Sequence, residues 1–207
     1  MNRKSVGLAA SLAFLALTAC ASSSTTVSTS PTPAASPLAK ASPSAAGTPT
    51  AVDPCQVLTQ SEASTLAGTT YASSKQETTS GGAKLCVYGA QTLNVFEVLV
   101  ATATSATVAQ SQWDQEKAQV TSELQKGAAT PGLTFTANVS DTTLAGADRA
   151  ASGTFSGTIS GHTLAGTALY FLKGVYFVAI VDIVVDHTPP ALAAMEAQGQ
   201  TSLGRLP

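Results

Sequence analysis

Few residues in this chain are equipped for chemistry. Its 207 residues include three cysteines, Cys20, Cys55 and Cys86, and two histidines, His162 and His187. A serine nucleophile at a strand-to-helix elbow needs G-x-S-x-G. The nearest strings, Gly153 to Gly157 and Gly157 to Gly161, read G-x-x-S-G, which suits a strand. Asp182, Asp186 and His187 are close enough in sequence to suggest an acid/base group or metal ligands. On a strand, however, Asp182 and Asp186 share one side and His187 takes the other, so they are expected to be polar residues at a strand's solvent face and exit. Neither a P-loop nor a dinucleotide fingerprint is present. The expectation is a protein without catalytic residues, metal or cofactor.

The thiols remain, and their surroundings separate them. Asn2-Arg3-Lys4 gives a positive start, Val6 to Leu17 an apolar run of a dozen residues, and Leu17-Thr18-Ala19-Cys20 follows. The order is that of an export signal, too short to span a bilayer as a helix. Its end resembles a bacterial lipobox rather than the A-x-A site of an ordinary secretory signal. This implies that residues 1–19 are a signal peptide and that Cys20 carries lipid. Two acyl chains hold a protein stably where one does so only marginally. The expected location is the extracytoplasmic face of the cell membrane, reached through lipidated Cys20.

Once Cys20 is assigned to lipid, Cys55 and Cys86 remain. Outside the cytoplasm such a pair is normally a disulfide. The alternatives are free thiols or a metal, and two cysteines without neighbouring histidines make a poor zinc site. A disulfide across about thirty residues contributes roughly 3 to 4 kcal/mol in the chain-entropy picture.

Between lipid and disulfide, residues 21–52 are nearly all Ser, Thr, Pro and Ala, with no aromatic residue and one charge, Lys40. Such a stretch buries too little apolar surface to offset its ordering entropy. Residues 20–52 are therefore expected to form a disordered tether reaching about 100 Å extended or roughly 30 Å coiled. Ser/Thr/Pro-rich stalks are also O-glycosylation substrates. Residues 53–207 are expected to be one domain. They hold all twelve acidic residues and seven of the ten basic ones, a formal charge of −5. Nucleic acid is not an expected partner, because phosphate binding needs clustered Lys and Arg.

The elements that position these residues follow from local pattern. Thr59-Gln60-Ser61-Glu62 is a capping box that predicts a helix over 60–67, with Ala63 and Leu66 inward and Gly68 as C-terminal cap. Residues 85–88 and 93–104 read as strands joined near Gly89-Ala90-Gln91, the second apolar on both faces apart from Glu97 and therefore central. Ala109, Trp113, Val120 and Leu124 mark an amphipathic helix over 107–126 that lays Trp113 on the sheet. Strands follow from Leu133 to Val139 and over 149–159, 163–172 and 175–185, with turns at Ser160-Gly161-His162 and Lys173-Gly174. A last helix after Pro189-Pro190 presents Leu192, Met195, Leu203 and Leu206. The expected fold is α+β: a single, mainly antiparallel sheet of about five or six strands with two or three packed helices.

Gly153, Gly157, Gly161 and Gly166 leave room for close approach. They mark where an apolar cavity is sought, with packing of neighbouring elements as the alternative use. Asn138-Val139-Ser140 fits an N-glycosylation sequon.

Asp53-Pro54-Cys55, Leu58-Thr59, Glu62-Ala63, Leu66-Ala67-Gly68 and Cys86-Val87-Tyr88 together resemble a family of small actinobacterial lipoproteins of unknown function, whose mature domain opens with D-P-C and later carries C-x-Y. The resemblance implies an antiparallel sheet with packed helices, of Mog1/PsbP type, and brings no catalytic residues. The functional expectation is a non-enzymatic envelope module that binds or assists an envelope protein or glycan. The alternative is a carrier or sensor of a small apolar ligand such as a lipid or glycolipid.

Overall fold

The computed structural model describes residues 49–89, 94–127 and 133–207. Cys20, the leader, most of the tether, Ala90-Gln91 and Thr130-Pro131-Gly132 lie outside them, as do the side chains of Val120 and Leu124.

The domain opens with a four-residue helix α1 (Pro54–Val57). The Asp53 side chain accepts from the Cys55 amide at 2.8 Å, and Pro54 fits the first turn, where an N–H would be unpaired anyway. Helix α2 (Gln60–Ala67) carries the expected capping box: Glu62 Oε2 accepts from the Thr59 amide at 2.8 Å, and Thr59 Oγ1 from the Glu62 amide at 3.4 Å. Gly68 ends it in the left-handed region at φ 63°.

Among the described residues one antiparallel sheet holds seven strands: β1 (Ser74–Thr78), β2 (Lys84–Tyr88), β3 (Val95–Thr102), β4 (Leu133–Asp141), β5 (Arg149–Ile159), β6 (His162–Lys173) and β7 (Tyr176–Val185). Their order is β1-β2-β3-β7-β6-β5-β4. Two meanders, β1 to β3 and β4 to β7, are therefore sewn together by β3 against β7, which pair over eight positions from Val95↔Ile183 to Thr102↔Tyr176. Helix α3 (Ala106–Gly127) links the meanders, and α4 (Leu192–Leu203) ends the fold.

The expected five or six strands become seven, and the expected two or three helices become four. The added strand is β1, Ser-Lys-Gln-Glu-Thr, which has no apolar residue and is held by backbone pairing with β2. The added helix is α1, too short for any periodicity.

Helices cover both faces. On one, Phe96, Val98, Val100, Leu169, Phe171, Val178 and Ile180 meet Val57 and Leu58, Ala63 of α2, Met195 and Leu203 of α4, and Leu206 just past it. Burying each such large side chain stabilises by about 1.5 to 3 kcal/mol. On the other, Ala109 and Trp113 of α3 pack on Ala151 and Leu172 beside Tyr170 and Phe177. Strand β3 is central as expected, between β2 and β7. The β5–β6 hairpin turns through Ser160 and Gly161 at φ 51° and 85°, the paired positive values of a type I′ turn.

Candidate functional sites

The best-defined covalent feature is the bond between Cys55 of α1 and Cys86 of β2, with Cα atoms 5.2 Å apart. It fastens the entry of the chain to an inner strand. Noncovalent contacts strengthen the same corner: the Tyr88 hydroxyl donates to the Leu58 carbonyl, and the Thr50 carbonyl accepts from the Tyr176 hydroxyl at 3.0 Å. Lys173 Nζ donates to the Leu206 carbonyl at 2.8 Å, tying down the chain's end.

Asp182 corrects an expectation. It lies at 0% exposure in the core, not on a solvent face. Its parity along β7 matches Tyr176, Val178 and Ile180, all buried on the α1/α2/α4 side. Phe96 and Thr167 flank it on β3 and β6. Neither carboxyl oxygen finds a hydrogen-bond partner among the described residues, and neither does the buried Tyr71 hydroxyl. Burial pushes the Asp182 carboxyl up to about 7, while the approach of the Tyr71 hydroxyl partly offsets the cost of its charge. Burial, then the Asp182 charge, pushes the Tyr71 phenol up. Thr167, also fully buried, donates to the Pro190 carbonyl at 2.8 Å. The group can hold a proton near neutrality, but it is walled off from any substrate.

Asp182, Asp186 and His187 are not brought together. Asp186, at φ 56° beyond the end of β7, meets His162 Nδ1 at 2.7 Å and accepts from the Thr163 amide at 2.9 Å. The hydrogen bond with His162, and after it the one from the Thr163 amide, lower its pKa. His187 lies exposed with Nδ1 2.8 Å from the Val185 carbonyl. These contacts close the outer end of the β6–β7 pair.

Nor do Gly153 and Gly166 border a cavity. An added Cβ at Gly153 would meet the Asn138 carbonyl at 2.3 Å, and one at Gly166 the Asp182 carbonyl at 2.3 Å and Phe155 Cζ at 1.9 Å. Gly161 belongs to the turn. Small size here admits neighbouring strands and rings, the alternative use. A partly open cavity of about 20 Å³ does exist, but beneath α3. Trp113, Tyr170 and Phe177 wall it over Val139 and Ala151, with Glu116 and Lys117 alongside, and the lining is almost wholly apolar. It has room for one water- or methyl-sized group. Sequence pattern placed Trp113 on the sheet but missed Tyr71, Thr167, Glu116 and Tyr170. Strand alternation carried a usable signal for Thr167, which shares parity with Leu169 and Phe171.

No curated protein matches the chain. A family model does, over residues 15–162, a span that takes in both bonded cysteines, α1 to α3 and β1 to β5. The chain belongs to a family described as proteins of unknown function, DUF3558.

Proposed function

We propose that this chain is a lipid-anchored cell-envelope protein, held by Cys20 on the extracytoplasmic face of the membrane, whose domain is a non-enzymatic binding or accessory module for an envelope protein or glycan. One observation carries the reading: Cys55 and Cys86 are bonded to each other, which leaves Cys20, at the end of Leu17-Thr18-Ala19-Cys20, as the remaining cysteine of three. Structural disulfides belong to oxidising compartments, the destination implied by the positive and apolar leader. The resemblance to actinobacterial lipoproteins, which implies a Mog1/PsbP-type fold, supports the same reading. Among the described residues no helix is long and apolar enough to cross a membrane; the attachment in this reading is the lipid on Cys20. The carrier reading draws less support, because a cavity of about 20 Å³ does not accommodate an acyl chain.

The test is metabolic labelling of the full chain in a bacterial host with a clickable fatty acid. Label and membrane association are expected in the native sequence and lost together in Cys20→Ala. A labelled Cys20→Ala variant, or unlabelled native protein that stays soluble, would sink the anchor. Crosslinking in the native host should then capture one recurrent envelope partner; copurified lipid in its place would favour the carrier.

A further inference from the structure

The cavity beneath α3 combines three features. Its walls are aromatic rings drawn from three elements: Trp113 of α3 and Phe177 of β7 have centroids 5.9 Å apart at 61°, and Tyr170 of β6 and Phe177 lie 6.4 Å apart at 29°. Beside them stands a carboxylate with no ion pair or hydrogen bond among the described residues, Glu116, half-buried between sheet and solvent. The neighbouring cation is already matched, since Lys117 Nζ meets Asp141 Oδ1 at 2.5 Å.

Ring faces are negative and attract cations, most strongly a cation whose own surface is apolar and cheap to desolvate. A primary ammonium needs acceptors for three N–H groups, and beyond the Glu116 carboxylate and the Tyr170 hydroxyl this lining is apolar; a quaternary ammonium has no N–H to satisfy. The cavity of about 20 Å³ has room for one methyl-sized group, which leaves the remaining methyls at the open mouth beside Glu116. Burial disfavours the unpaired carboxylate and raises the Glu116 pKa; burial first, and the Glu116 charge second, raise the Tyr170 phenol to about 12. A bound cation relieves both.

We propose that the cavity walled by Trp113, Tyr170 and Phe177 and flanked by Glu116 is a binding site for a quaternary ammonium group. The assignment is independent of the anchor at Cys20. A mere packing gap makes the opposite prediction, because it is indifferent to charge.

Trp113 is the sole tryptophan of the chain, so its fluorescence reports on this site alone. Purified full-length protein is titrated with tetramethylammonium, choline and 3,3-dimethylbutan-1-ol, the neutral carbon isostere of choline. Choline and tetramethylammonium are expected to shift the emission saturably in the millimolar range, with the isostere at least about fivefold weaker. Glu116→Gln, which keeps the shape, should weaken choline by about tenfold and leave the isostere unchanged. Phe177→Leu should weaken choline as well, and unchanged far-ultraviolet circular dichroism identifies it as folded. Equal binding of choline and isostere, no saturable response to choline, or unchanged affinity in Glu116→Gln would overturn the assignment.

Discussion

Arg205, two residues before the last, grips both oxygens of Glu62 in a fork: Nη1 lies 2.7 Å from Oε2 and Nη2 lies 2.5 Å from Oε1. The same Nη1 donates to the Val57 carbonyl at 3.0 Å. One side chain thereby joins the chain's end to the first two helices, and Glu62 serves both the Thr59 cap and the fork.

The fork should be visible as acid sensitivity. Its hydrogen bonds from Arg205 pull the Glu62 carboxyl from 4.5 down to about 2. A depressed carboxyl contributes stability above its unfolded pKa and loses it as pH falls through the folded value. With a quarter of Glu62 and a third of Arg205 exposed, screening reduces the full linkage value to about 1 to 2 kcal/mol. Arg205→Ala should lower stability by that amount at pH 7 and flatten the loss between 4.5 and about 2, as read by urea denaturation across pH.

Asp182 should act with the opposite sign. Its carboxyl is raised from 3.8 to about 7, so the folded state holds a proton that the unfolded chain has released. Stability then falls as pH rises from 3.8 toward about 7, by at most about 4 kcal/mol. Asp182→Asn should be nearly neutral at pH 4, stabilising at pH 8, and should remove that slope. A slope surviving in Asp182→Asn would assign it elsewhere.

Reduction should cost more than any single contact. Removing the Cys55–Cys86 bond, which spans 31 positions, is expected to lower stability by about 3 to 4 kcal/mol. Thermal melts of Cys55→Ala/Cys86→Ala measure the loss. A linked peptide in the unreduced digest verifies the bond itself.

Gly199→Ala should also destabilise. Its added Cβ would fall 2.1 Å from Leu169 Cδ2, and Leu169 is fully buried with little space to move. A loss of about 1 to 3 kcal/mol follows from overpacking, whereas Ala at exposed Ala197 replaced by Ser should change little.

What the sequence disclosed was local. The Thr59–Glu62 box, the Ser160-Gly161 turn and the alternation of β5 to β7 are each written within a few residues, and each is present in the structure. Strand β1 was hidden because Lys75, Gln76 and Glu77 leave no apolar face to read; β2 supplies its order through the backbone. Asp182 sent two messages. Its parity with Val178 and Ile180 pointed inward and its charge pointed outward, and the cover that decides between them comes from residues as distant as Tyr71. The ring-walled cavity was hidden for the same reason, since Trp113, Tyr170 and Phe177 meet only once α3 crosses the sheet.

The Cys55–Cys86 bond also decides how the domain answers mechanical load. A pull on the segment before Asp53 reaches Cys55 and passes through sulfur into the middle of β2, a strand already flanked by β1 and β3. Residues 56–85 lie outside the path of that force and cannot be peeled away one hydrogen bond at a time. With the bond intact, that load enters the fold at β2; once the bond is reduced, it enters at α1.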